Sequence, residues 1–200
     1  PQGTVLGPLL FLIYINDITD NLPPGTVARL FADDCVIYRP IRSPLDRQTF
    51  QTNLDSLHDW AVRWQMHFNP KKCTTMHISA KGTCHPHPYF MDGVQLETVQ
   101  EHRYLGVTLT NTLSWNSHVD AQCSKAGRIL GLLRRNLGKC SMHTKSVAYQ
   151  ALVRPHLEYS ASAWDPHTLR NSKKLEQVQR CAPRFATHSY SPYQHVTPLL

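Results

Sequence analysis

Two carboxylates, Asp33 and Asp34, stand side by side within the otherwise apolar run Leu30-Phe-Ala-Asp-Asp-Cys-Val-Ile-Tyr38. Adjacent carboxylates repel each other, and burial raises the cost of ionising both. Two readings are open: an exposed turn without a special role, or a site where a cation meets the pair. Mg2+ takes one or two carboxylates together with water and phosphate oxygens, so a pair of this kind has suitable chemistry. A metal-dependent nuclease could use the same pair, but no His or Glu cluster stands beside it. Zinc is a weaker prospect. Cys84-His85-Pro86-His87 and Cys140-Ser-Met-His143 hint at ligation, yet neither has a second pair at zinc-finger spacing.

The elements that must position the pair can be read from periodicity. Val27 to Phe31 and Cys35 to Tyr38 are β-rich runs, so the carboxylates fall at or beside the tip of a hairpin. Ahead of them, Pro8 suits the first turn of a helix carrying Leu9, Leu10 and Ile13, and Pro23-Pro24-Gly25 ends that segment. Behind them, Phe50, Leu54, Leu57, Ala61 and Trp64 mark an amphipathic helix over about 45–68, with Trp60 and Trp64 as core residues. Residues 74–78 read as a strand, Asp92-Gly93 as a tight hairpin turn, and Tyr104 to Leu109 as one further strand. From Trp115 the pattern turns helical. Val119, Cys123, Ala126, Leu130, Leu133 and Leu137 form one stripe, and helices follow near 142–153 and 171–185, with Pro183 interrupting the last. The fold class is α+β, with a seam near residue 112.

Charge divides the chain in the same way. Residues 1–100 carry 8 Lys and Arg against 9 Asp and Glu, whereas residues 101–200 carry 13 against 5. The excess of the second half suits a polyanion partner; a solvated basic face is the plainer alternative. The longest apolar run, Val5 to Ile15, falls short of the roughly 18 residues a membrane span needs. No secretory signal pattern opens the chain, and six scattered cysteines without a Cys-x-x-Cys pair read as reduced intracellular thiols. The first residue is proline, so the chain is expected to be part of something longer.

Several blocks occur in a telling order: Pro1-Gln-Gly-Thr-Val-Leu-Gly-Pro, Phe31-Ala-Asp-Asp34, Asn69-Pro-Lys-Lys-Cys73, Tyr104-Leu-Gly-Val107, Leu152-Val-Arg-Pro-His-Leu-Glu-Tyr159 and Leu175-Glu-Gln-Val-Gln-Arg180. The series resembles the reverse transcriptases of non-LTR (LINE-type) retrotransposons, in particular the jockey-like elements, across essentially the whole chain. The resemblance implies a partial polymerase palm in residues 1–112 and a helical, basic, thumb-like region in 113–200. It implies nucleotidyl transfer from a deoxynucleoside triphosphate to a primer 3′-hydroxyl by a two-metal mechanism using Mg2+.

Within that resemblance, Asp33 matches a direct metal ligand and Asp34 an accessory carboxylate. Lys72 matches a lysine near the triphosphate, with Cys73 where the family more often has threonine. Gln2 and Gly3 match a loop beneath template and nucleotide, and Tyr104, Leu105 and Gly106 a primer-grip strand. Arg128, Arg134, Arg135, Lys173, Lys174 and Arg180 are the candidates for clamping a duplex through its phosphates. The implied partners are an RNA template, a DNA primer, the nucleotide and an upstream fingers and palm segment of the same polypeptide, in the cytoplasm or nucleus and away from membranes. That segment should carry another metal-binding aspartate, so the chain alone is expected to be inactive. The alternative is a non-catalytic nucleic-acid-binding remnant of a mobile element.

Overall fold

The computed structural model describes residues 3–20, 22–79 and 87–187. These form a mixed α+β chain that divides into two compact units, one within residues 1–77 and 83–99 and one within 78–82 and 100–200. The division falls earlier than the seam expected near 112, because a short hairpin packs onto the first long helix of the second unit.

The first unit opens with α1 (Leu6–Tyr14), followed by the antiparallel pair β1 (Val27–Phe31) and β2 (Asp34–Tyr38). Next comes α2 (Pro44–Arg63), then the short strands β3 (Thr74–Thr75), β4 (Phe90–Met91), β5 (Val94–Gln95) and β6 (Glu97–Thr98). β3 pairs with β6 in parallel, and β4 with β5 around Asp92-Gly93. Both turn residues hold positive φ (52° and 68°), as the Asp-Gly dipeptide predicts.

Both ends of α2 have a local cause. At its start, the Ser43 hydroxyl accepts the Asp46 N–H at 3.3 Å while the Asp46 carboxylate accepts the Ser43 N–H at 2.9 Å. This capping box satisfies donors that the first helical turn leaves bare. At its end, the Met66 N–H donates to the Ala61 carbonyl and the Gln65 N–H to the Val62 carbonyl, with Gln65 at φ 55°. These bonds close the helix at Arg63, short of the expected Phe68. Leu57, Trp60 and Ala61 bury themselves with Ile15 and Ile18; Leu54 joins Tyr89, Met91 and Leu96. One expectation fails here. Trp64, assigned to the core, is 40% exposed, because it caps the helix end. On α1, Leu9, Leu10 and Ile13 all meet solvent, and no residue of that helix is fully buried.

The second unit begins with the antiparallel hairpin β7 (Glu101–Tyr104) and β8 (Val107–Thr110). The single strand expected over 104–109 is therefore two strands joined through Leu105 and Gly106. Five helices follow: α3 (Asn116–Asn136), α4 (Met142–Leu152), α5 (Arg154–Glu158), α6 (Ala161–Trp164) and α7 (Leu169–Thr187). Val119, Cys123, Ala126, Leu130 and Leu133 of α3 meet Tyr149, Val153, Leu157, Trp164, Ala182 and Phe185 in one core. The helix α7 runs through Pro183 instead of stopping there. A mid-helix proline costs about 3 kcal/mol; burial of Pro183, Phe185 and Ala186 in the same turn offsets it.

Candidate functional site

Strand alternation explains how the carboxylates reach solvent. Successive side chains of a strand point to opposite faces. In β2, Ile37 faces the core, and Leu30 of β1, paired with Cys35, faces it too. Asp34, paired with Phe31, therefore lies on the outer face, where Phe31, Asp34 and Tyr38 are exposed. Ala32 and Asp33 make the two-residue tip, with Ala32 at φ 51°. A left-handed backbone is unusual for a residue with a Cβ, and strain of this kind gathers at functional sites. Among the described residues, no hydrogen bond or ion pair engages either carboxylate side chain, and both are exposed. The pair thus offers all its oxygens outward. That donor set fits Mg2+ completed by water and phosphate, although no group of three potential ligands gathers among the described residues.

Lys72 is exposed in the turn that leads into β3, where its N–H donates to the Asn69 carbonyl at 2.9 Å. The residues following Asp34 and Lys72 are neighbours. Burial pushes the Cys35 thiol up to about 11, and the Cys73 thiol adds to that rise. Burial raises Cys73 as well. Both therefore stay protonated near neutral pH and pack as neutral groups. Gly3 is exposed, holds φ 89° and has open space where a Cβ would be; Gln2 lies outside the described residues. So do Cys84, His85 and Pro86 of the weaker zinc prospect.

In the second unit, Tyr104, Leu105 and Gly106 occupy the β7–β8 turn, all partly buried. Of the six basic candidates, Arg128, Arg134, Arg135, Lys173 and Arg180 are exposed on α3 and α7 and Lys174 is half-buried. Lys174 binds the Asp120 carboxylate at 2.5 Å, and Arg180 binds Glu176 on its own helix at 2.6 Å. Arg170 joins Asp120 at 3.3 Å. The Lys174 hydrogen bond, foremost, holds the Asp120 carboxyl below its usual range.

Several residues that serve these sites escaped the sequence reading. Asp17 accepts the Trp60 indole N–H at 2.9 Å and so fixes the segment after α1 against α2. Asn53 is fully buried and donates to the Thr26 hydroxyl at 2.6 Å, tying α2 to the residue before β1. Arg39, just past β2, donates to the same hydroxyl at 3.2 Å and to Asp46 at 3.4 Å. The Ser43-Pro-Leu-Asp46 capping box was legible in sequence; the Asn53–Thr26 bond, across 27 residues, had no local signal.

Comparison with known proteins gives three results. The profile of the family described as reverse transcriptase (RNA-dependent DNA polymerase) matches residues 1–109. The relative named "Probable RNA-directed DNA polymerase from transposon X-element", from Drosophila melanogaster, is 27% identical over 94% of this chain and 21% of its own length. The RNA-directed DNA polymerase from mobile element jockey of the same fly is 28% identical over 90% of this chain and 20% of its own length. The chain spans about a fifth of the length of these curated relatives. No solved structure matches it.

Proposed function

Because the chain belongs to the reverse transcriptase (RNA-dependent DNA polymerase) family, we propose that it forms the palm end and thumb of a non-LTR retrotransposon's RNA-directed DNA polymerase. The observation that carries this reading is the exposed, unengaged carboxylate pair at the strained tip of β1 and β2. Mg2+ bound there would stabilise charge on the attacking primer 3′-hydroxyl and on the leaving pyrophosphate. Asp33 serves as the direct ligand and Asp34 as the accessory carboxylate, their repulsion offset by the cation. Lys72, as a cation, stabilises or protonates charge developing on pyrophosphate. Gln2 and Gly3 line the template and nucleotide. The turn of Tyr104, Leu105 and Gly106 steers the primer end. Arg128, Arg134, Arg135, Lys173, Lys174 and Arg180 hold the duplex by its phosphates, a contact that carries little sequence information.

The family resemblance calls for one more metal-binding aspartate, upstream of the Gln2-Gly3 loop, and no third potential ligand gathers beside the pair among the described residues. On this reading the chain works as a catalytic part together with that segment. The test is Mg2+-dependent incorporation of deoxynucleotides on a primed RNA template. The purified chain is expected to incorporate none. The same chain within a polypeptide as long as its curated relatives is expected to incorporate, and Asp33→Asn to reduce that activity to background. Undiminished incorporation by the Asp33→Asn form overturns the assignment.

A second reading, a nucleic-acid-binding remnant without catalysis, is favoured by the basic excess of residues 101–200 alone. It predicts duplex binding with no incorporation in either context.

A further inference from the structure

The turn between β7 and β8 is held from outside by a circuit of contacts that the reaction above leaves without a role. Leu105 and Gly106 form its two-residue loop, with φ of 45° and 81°. Left-handed backbone is costly for a residue with a Cβ; the two-residue loop demands it of Leu105, and contacts from outside help to hold it. Tyr159, 54 residues along the chain, supplies one such contact: its hydroxyl donates to the Leu105 carbonyl at 3.1 Å. Its ring also crowds Gly106. A Cβ at that position would lie 2.9 Å from a ring carbon, so glycine is demanded twice, by φ and by the ring.

Tyr159 is fixed in its turn. It ends α5, where its N–H donates to the Pro155 carbonyl at 2.9 Å. Its own carbonyl accepts the Trp164 indole N–H at 2.8 Å. Trp164 is buried and meets the buried His118 ring edge-to-face at 4.9 Å. His118 Nδ1 then accepts the Thr108 N–H at 3.2 Å, on the strand that leaves the turn. The circuit starts at the loop and returns to β8. Tyr159 is 55% exposed, so removing its hydroxyl subtracts one hydrogen bond and leaves the buried core as it was.

The geometry points to Tyr159 as a positioning residue for the primer end. Through the Leu105 carbonyl it sets where the 104–106 turn stands, with Trp164 and His118 as its backing. This rests on the reading that the same turn steers the primer.

The test uses the full 200-residue chain and a DNA primer with 2-aminopurine at its 3′ end, annealed to RNA. Hydrogen exchange of the amides at 104–107 is followed in parallel. The unaltered chain is expected to change the 2-aminopurine fluorescence on binding. In Tyr159→Phe, the turn amides are expected to exchange roughly fivefold faster, the factor that one lost hydrogen bond makes. Duplex affinity should hold within about twofold, while the primer-end signal weakens. Tyr159→Ala, which also removes the ring, should move both readouts further in the same direction. Unchanged exchange in Tyr159→Phe, or faster exchange with an unchanged primer-end signal, overturns the positioning role and leaves the polymerase reading standing. Absence of any primer-end signal from the unaltered chain overturns the premise that this turn steers the primer, and the positioning role with it.

Discussion

That Asp33 falls at a hairpin tip was legible from sequence, because β-rich runs flank it on both sides. Its neighbour Ala32 was not. Nothing about an alanine announces a φ of 51°, which the hairpin imposes by joining two strands through only two residues. His118 was hidden for a related reason, since a histidine on a helix betrays its burial only once its neighbours are known. Fully buried, it is held below the usual histidine range by desolvation first and then by Arg103. Its Nδ1 accepts the Thr108 N–H, so the bond needs the neutral ring. The sign follows from linkage: a folded-state pKa below the unfolded one means that the unfolded chain binds more protons. The stability this ring contributes is complete above about 6.5 and is lost as pH falls from there through the folded pKa. His77 and His156, both lowered chiefly by burial, act in the same direction. Urea midpoints measured from neutral pH downward through that range should therefore decline. His118→Gln, which removes the titrating ring, should decline less steeply.

At the scale of elements, periodicity located the long helices well because each has a single buried stripe. The stripe expected over 119–137 on α3 is the one that is buried, with Leu137 at its edge half-buried. It failed where termination depends on backbone geometry. Gln65 ends α2 in a left-handed conformation that no glycine marks, whereas Leu105 ends β7 just ahead of Gly106. The start of α2 rests instead on side chains, and that gives it a testable weak point. Ser43→Ala removes the acceptor for the Asp46 N–H, and losing such a cap costs about 1 kcal/mol. The expected outcome is a lower urea midpoint at unchanged slope. The Ser43→Asn form, which restores an acceptor, should recover most of the loss.

For the molecule as a whole, composition had already separated a charge-balanced half from a basic one, and the boundary between the two compact units falls near that division. What composition could not tell is how many cations are spoken for. Asp120 engages Lys174 and Arg170, and Glu176 engages Arg180, so the outward charge is smaller than the count of basic residues implies. Arg128 and Arg135, both exposed, share a face of α3 at a seven-residue spacing. If they meet phosphates, binding of a labelled primer–template duplex weakens steeply as salt rises, and each arginine changed to alanine lowers the log–log salt slope by about 1. Anisotropy titrations at several salt concentrations measure this; a slope unmoved by either change would remove those arginines from the contact. No helix among the described residues is long and apolar enough to cross a membrane. The apolar character of α1 therefore has another outcome. Its nine residues bury no side chain fully; only Phe11, half-buried, and Tyr14, edge-on to Trp60 and Trp64, tie it to the core, and helices that short depend on such packing in water. While this chain folds, the hairpin and α2 can gather around Trp60 first, leaving the amino-terminal helix as the last part to settle and the earliest to come loose.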